Sequence, residues 1–173
     1  LLIFYSAPLN VLSQNEEIPI TTSSEEAFDF FLKGRDRLEN FEAATAASLF
    51  DQAIQADPNF ALAYLYRSQS GGGFNVFRQN LDKAVRLADK VSEGEKYEIL
   101  YSQARADGNG AKQKEFLDLL LTSFPSDKRV QMDAGIYYYS INDFSEALKH
   151  FSRSAELDKT FAPAFNMIGY AQT

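Results

Sequence analysis

The sequence predicts an all-α protein built from antiparallel helix pairs stacked as a solenoid, about four pairs followed by one extra helix. Three observations carry this expectation. Apolar residues recur at the i, i+3, i+4, i+7 spacing of amphipathic helices, small residues return at one fixed place within each pair, and the pattern repeats about every 34 residues from Ser24 to Thr173.

Taking Ala27, Ala61, Gly94, Lys128 and Ala162 as first helical positions gives spacings of 34, 33, 34 and 34 residues. The expected units are therefore 27–60, 61–93, 94–127, 128–161 and a partial 162–173. In the first, Phe30 and Gly34 precede Ala46, Phe50, Ala53 and Asp57-Pro58. In the fourth, Gly135 and Tyr138 precede Ala147, Phe151 and Ser154, and both glycines stand 12 residues before their alanines. Small residues at these places let two helices approach closely, and Phe50 and Phe151 fill the hole beside them.

The middle units diverge. In the third, Tyr97, Leu100 and Ala104 share a face, Tyr101 stands where the glycine would be, and Leu117, Leu120 and Pro125 close the second helix. In the second, Ala84, Ala88 and Val91 keep the spacing, while Ser70-Gly71-Gly72-Gly73 is expected to lengthen the turn between helices. Ser23-x-x-Glu26 and Ser92-x-x-Glu95 read as capping boxes, Asn142 or Asp143 as a cap, and Asp107-Gly108-Asn109-Gly110 as a tight turn. Pro58 and Pro125 stop second helices, because proline removes a donor and clashes with the preceding turn.

Composition narrows the function. With no cysteine and one histidine, disulfides, zinc ribbons, iron-sulfur centres, cysteine nucleophiles and two-histidine metal sites are excluded, and no cofactor or metal is expected. The net charge of −7 argues against sequence-independent nucleic-acid binding, which relies on Lys and Arg neutralising phosphates.

Residues 1–13 carry no charge, and Leu1 to Phe4 with Tyr5, Ala7, Leu9, Val11 and Leu12 form a run too short to span a bilayer. The run suits the apolar part of a signal peptide, with Val11 and Ser13 at the −3 and −1 positions of a cleavage site before Gln14. Residues 14–23, with Pro19 and Thr21, Thr22 and Ser23, read as a linker into the helical domain at 24–173. An exported, periplasmic or envelope protein is expected, with a cytoplasmic one as the alternative.

The repeat resembles the tetratricopeptide (TPR) family over the large majority of the chain. Phe165, Ile168 and Gly169 match the opening of its pattern with Phe for Trp, and Gly135 to Ser154 matches the body in order. The phrase Asp57-Pro58-Asn59-Phe60-Ala61-Leu62-Ala63-Tyr64 is similar to exported bacterial members. The resemblance implies a right-handed superhelix whose first helices line a concave groove, mainly at their second, fifth, ninth, twelfth and thirteenth positions.

Carried over, the fifth, ninth and twelfth positions fall on Phe31, Arg35 and Leu38; Leu65, Gln69 and Gly72; Glu98, Ser102 and Arg105; and Met132, Ile136 and Tyr139. In the partial unit they fall on Asn166, Tyr170 and Thr173. Such a groove suits a peptide or protein segment, with aromatic anchors and arginines orienting acidic groups. The family's clamp for chaperone tails needs Lys and Asn where Phe31 and Arg35 stand, so that recognition is not expected.

The expected function is a non-catalytic interaction scaffold, with the scaffold of a longer regulator or envelope enzyme as the alternative. Glu25-Glu26 serves a helix start better than acid-base chemistry. His150 has no neighbouring nucleophile and reads as solvated, and Gly71-Gly72-Gly73 lacks the Lys-Ser/Thr of a phosphate-binding loop.

Overall fold

The computed structural model describes residues 17–171. The stretch read as a signal remnant, and Thr173, lie outside them. Among the described residues there are helices and no strands. The helices are α1 (Glu25–Glu39), α2 (Ala43–Ala56), α3 (Ala61–Gln69), α4 (Gly73–Leu87), α5 (Glu93–Ala106), α6 (Gly110–Ser123), α7 (Lys128–Ser140), α8 (Phe144–Leu157) and α9 (Ala162–Ala171), with a short 3-10 turn at Ala88–Lys90. The odd-numbered helices are the first members of the pairs α1/α2, α3/α4, α5/α6 and α7/α8, and α9 stands alone at the end.

Why the helices close up is visible at the glycines. A Cβ on Gly34 would lie 2.8 Å from the Phe50 ring, and one on Gly135 would lie 2.3 Å from the Phe151 ring. Both rings are fully buried. In the third pair the glycine's place is taken by Tyr101, itself buried, whose hydroxyl donates to the Asp133 carbonyl at 3.1 Å and so ties α5 to α7. Gly169 of α9 has no described residue within 4 Å of a would-be Cβ.

The three regular turns share one geometry. Phe41, Gly108 and Asn142 adopt left-handed φ values of 62°, 68° and 63°. The next amide in each then reaches back to the helix, as Glu42 N to Arg37 O (2.8 Å), Asn109 N to Ala104 O (2.9 Å) and Asp143 N to Tyr138 O (2.9 Å). Asp143 therefore caps α8, accepting from Glu146 N, while Asn142 supplies the turn. The Ser92 box is present with both of its bonds. At α1 the cap is Ser24, accepting from Ala27 N, rather than Ser23.

The glycine-rich turn of the second pair is not longer than the others; it comes earlier. Counted from the first helical positions, α1, α5 and α7 each end twelve residues on, at Glu39, Ala106 and Ser140, whereas α3 ends eight on, at Gln69. At 3.6 residues per turn, α3 has lost about one turn, and α4 has gained it by starting at Gly73. The glycines permit this, since Gly71, Gly72 and Gly73 hold φ values of 90°, 101° and 82° that side chains disfavour.

Residues 17–24, in the stretch read as a linker, lie extended across the N-terminal ends of the first helices. Ser23 N and the Thr22 hydroxyl donate to Asp57, the latter at 2.6 Å, just before α3. Thr21 N donates to Glu95 of α5 at 2.8 Å, and Ile18 N to Asp127, the cap of α7, at 3.0 Å. One carboxylate at or just before the start of each of α3, α5 and α7 thus holds the strap. Asp127 also accepts from Arg129 N at 2.7 Å. Asp127→Ala is expected to cost about 2 kcal/mol, from a lost helix cap and orphaned amides. Native-state hydrogen exchange should show the Ile18 amide losing protection, and unchanged Ile18 protection would refute the strap's anchoring.

Candidate functional site

The superhelix is tight enough to bring the first pair against the fourth. Glu39 at the end of α1 accepts from Arg129 Nε of α7 at 2.7 Å, across 90 residues of sequence, and lies 3.7 Å from Lys128 Nζ. Lys128 also pairs with Asp158 and sits 4.8 Å from the Phe161 ring centroid. Arg129 Nη1 lies 3.5 Å from Glu17 of the strap but, buried, makes no hydrogen bond among the described residues. Burial works against the Arg129 charge, yet Tyr66, Glu39 and Asp127 around it push its pKa further up. This clasp bridges the concave face.

Inside the clasp lies a cavity of about 210 Å3. Leu38, Met132, Ile136, Phe161 and Pro163 give it apolar walls, and Gln69, Glu98, Asp133, Glu39 and Arg129 its polar groups. Burial pushes the Glu98 carboxyl up to about 8, reinforced by Asp133 and Asp127 and only partly offset by Tyr66 and Arg129. Burial likewise lifts Asp133 to about 7, against the influence of Arg105. Both acids therefore hold protons in the folded protein that they would lose when unfolded, so their contribution to stability is fully present below their ordinary range and is lost as pH rises towards 8. Thermal unfolding should move to lower temperature between pH 5 and pH 9, and Glu98→Gln should flatten that fall. An unchanged slope in the variant would count against the assignment. Asp158 behaves oppositely, since hydrogen bonds from Lys128 and Thr160 hold it well below the usual carboxylate range.

The expected groove residues fall into distinct places. Gln69, Glu98, Met132 and Ile136 line the clasped cavity. Gln69, Ser102 and Arg105 line a second cleft at the end of α3. Arg35 stands beside Glu98 where Ile18 and Ile20 of the strap approach, and its guanidinium lies 5.6 Å from the Phe31 ring centroid. Tyr139 rests edge-on against Phe144 at 5.3 Å, while Asn166 and Tyr170 are exposed on α9.

Two of the expected residues are not groove residues. Phe31 and Leu65 are both fully buried. Phe31 is enclosed by the rings of Phe50, Phe60 and Tyr66, with centroids 5.8, 4.9 and 5.2 Å away, because its large side chain inserts between the first two pairs. Gly72 does not lie on a first helix, since α3 has already ended. His150 is half-buried rather than solvated; it stacks on Tyr138 at 5.4 Å, its Nδ1 lies 2.8 Å from Gln131 Oε1, and burial lowers its pKa. Among the described residues, no group of three metal-ligating side chains converges and no helix is long and apolar enough to cross a membrane.

Glu39, Arg129 and Asp133 were not among the expected residues. A signal for two of them was present: Glu39 and Arg129 occupy the thirteenth and second positions of their units, which the family also places in the groove.

No protein-family model matches the chain, and no curated protein matches it by sequence. Solved structures do. PilW, a type IV pilus biogenesis factor, is 15% identical, with 87% of this chain and 70% of that one covered at a TM-score of 0.54. Cut9, from the APC/C hetero-tetramer Cut9-Hcn1, is 20% identical, with 84% of this chain covered, 29% of that one, and a TM-score of 0.53. YrrB, a TPR protein with an unusual peptide-binding site, aligns over 84% of this chain and 75% of that one at 18% identity and a TM-score of 0.46. The class is an all-α solenoid of stacked helix pairs. Its repeat length, its glycine–phenylalanine packing and its three-residue turns make it the tetratricopeptide fold.

Proposed function

We propose that this protein is a non-catalytic interaction scaffold whose concave face receives a segment of a partner protein. The observation that carries this reading is the clasped cavity, which pairs apolar walls with a few convergent polar groups, the composition expected of a recognition pocket. In the same molecule the strap's backbone amides are held by side-chain carboxylates, a mode of contact that reads an extended chain without demanding one sequence. The export reading rests on the anatomy of residues 1–13 and belongs to this proposal.

A photo-crosslinking amino acid placed at Ile136, with another at the exposed Gln79 of α4 as control, tests the groove in the full chain. Crosslinks to one partner segment from Ile136 alone, lost on a second change of Met132→Asp, are expected. Crosslinks from Ile136 to the chain's own residues 1–16, or equal capture from both positions, would overturn the reading.

A second reading is favoured by α9. Its Gly169 occupies the place that Phe50 and Phe151 cover in the first and fourth pairs, yet no described residue covers it, and Phe165 beside it is 48% exposed. A following helix carrying an aromatic residue would complete this pair, as in a scaffold belonging to a longer regulator or envelope enzyme. The full reading frame tests it: twelve to twenty further residues with an alanine and an aromatic four apart support it, and a stop codon sinks it.

A further inference from the structure

The early end of α3 leaves a space where the last turn of a first helix would otherwise pack. It is an open cleft of about 590 Å3 between the end of α3, the start of α4 and the end of α5, within the roughly 300–1,000 Å3 of cavities that hold ligands. One wall is apolar. Phe74, Phe77 and Leu81 of α4 form it, and Phe74, at 74% exposed, is the most exposed large apolar side chain among the described residues. The Phe74 and Phe77 rings lie 6.5 Å apart at 39°, and the exposed Phe74 ring offers surface to a third ring.

The opposite wall is polar, with Gln69, Ser102 and Arg105. Here the charges are uneven. Arg67, which donates to the Gly71 carbonyl at 3.1 Å, is paired with Asp51 at 2.8 Å, and Arg78 is paired with Asp107 at 2.8 Å. The Arg105 side chain makes no hydrogen bond or ion pair with any described residue, although its charge draws the Asp133 pKa down. The cleft therefore pairs an uncovered aromatic surface with a guanidinium that is in no ion pair among the described residues, in a protein whose net charge is −7.

We infer that this cleft is a docking site for a segment of a partner protein that presents an aromatic side chain beside a glutamate or aspartate. The ring fills the space of the missing turn against Phe74 and Phe77, and the carboxylate meets Arg105, whose planar guanidinium suits a two-pronged contact. The inference rests on the scaffold reading above but not on the clasped cavity, from which the cleft differs in every lining residue except Gln69.

The test is two-dimensional NMR of the 15N-labelled full chain, titrated to millimolar concentration with a blocked heptapeptide containing a central phenylalanine–glutamate pair. The expected result is saturable shifts at the amides of Gly71 to Phe74 and Ser102 to Ala106. Arg105→Gln should weaken binding at least fivefold, as should glutamine for the peptide's glutamate, and Ser102→Trp, which fills the cleft from its polar side, should abolish it. Ile136→Asp should leave it unchanged. Shifts confined to Met132 and Ile136 would overturn the cleft while leaving the groove standing, and no shifts, or equal binding by Arg105→Gln, would overturn it outright. Equally strong binding of 3-phenylpropionate would make the cleft a small-molecule pocket and refute the peptide assignment.

Discussion

Glu39→Ala should be the most damaging single change at the clasp, lowering stability by about 3 kcal/mol. The side chains of Glu39 and Arg129 are only 20% and 16% exposed, so truncating the carboxylate leaves a guanidinium with little water to replace it. At about 2–4 °C per kcal/mol for a chain of this size, the unfolding temperature should fall by about 6–12 °C. The pair itself need not be worth that much. In a double-mutant cycle, Glu39→Leu with Arg129→Met should recover most of the loss, because the penalty comes from stranding one charge rather than from forgoing the attraction. A Glu39→Ala protein within 0.5 kcal/mol of the parent would show that α1 and α7 are not held by this contact.

Gly135→Ala is the second. With the Phe151 ring 2.3 Å from where the methyl group would sit, either the ring leaves its place or α7 and α8 part. Overpacking of this kind costs about 2 kcal/mol. The same change at Gly169, where no described residue lies within 4 Å, should stabilise α9 by about 0.5–1 kcal/mol through helix propensity alone. The opposite signs at two positions equivalent in the repeat, read by denaturant unfolding of the two variants, isolate the contact from the propensity. Equal effects would mean that the repeat register places these glycines wrongly.

Much of the fold was legible because each unit states its own packing. Gly34 with Phe50 and Gly135 with Phe151 were readable as close helix contacts from spacing, and Tyr101 as their substitute. What spacing could not convey was where a side chain points once neighbouring units rotate against each other. Phe31 and Leu65 sit at groove positions by count, yet their bulk carries them into the space between pairs. The glycine run was legible as a turn but not as a displaced one, because a helix hairpin keeps the same loop length when one turn is transferred from α3 to α4. Least legible were the contacts between distant units. That Glu39 meets Arg129, and that Ile18 meets Asp127 across 109 residues, depends on superhelical curvature summed over three units. No local pattern records that sum.

The clasp and the strap together change how such an array should come apart. A row of helix pairs held only by its neighbours frays from either end, each end unit opening at the cost of one interface. Here the front of the array is held by more than its neighbour. The first helix is gripped by α7 and the strap before it is pinned at the starts of α3, α5 and α7, so opening the front of the molecule requires letting go of the fourth pair as well. The pairs from α1/α2 to α7/α8 should therefore melt as one cooperative body rather than unit by unit.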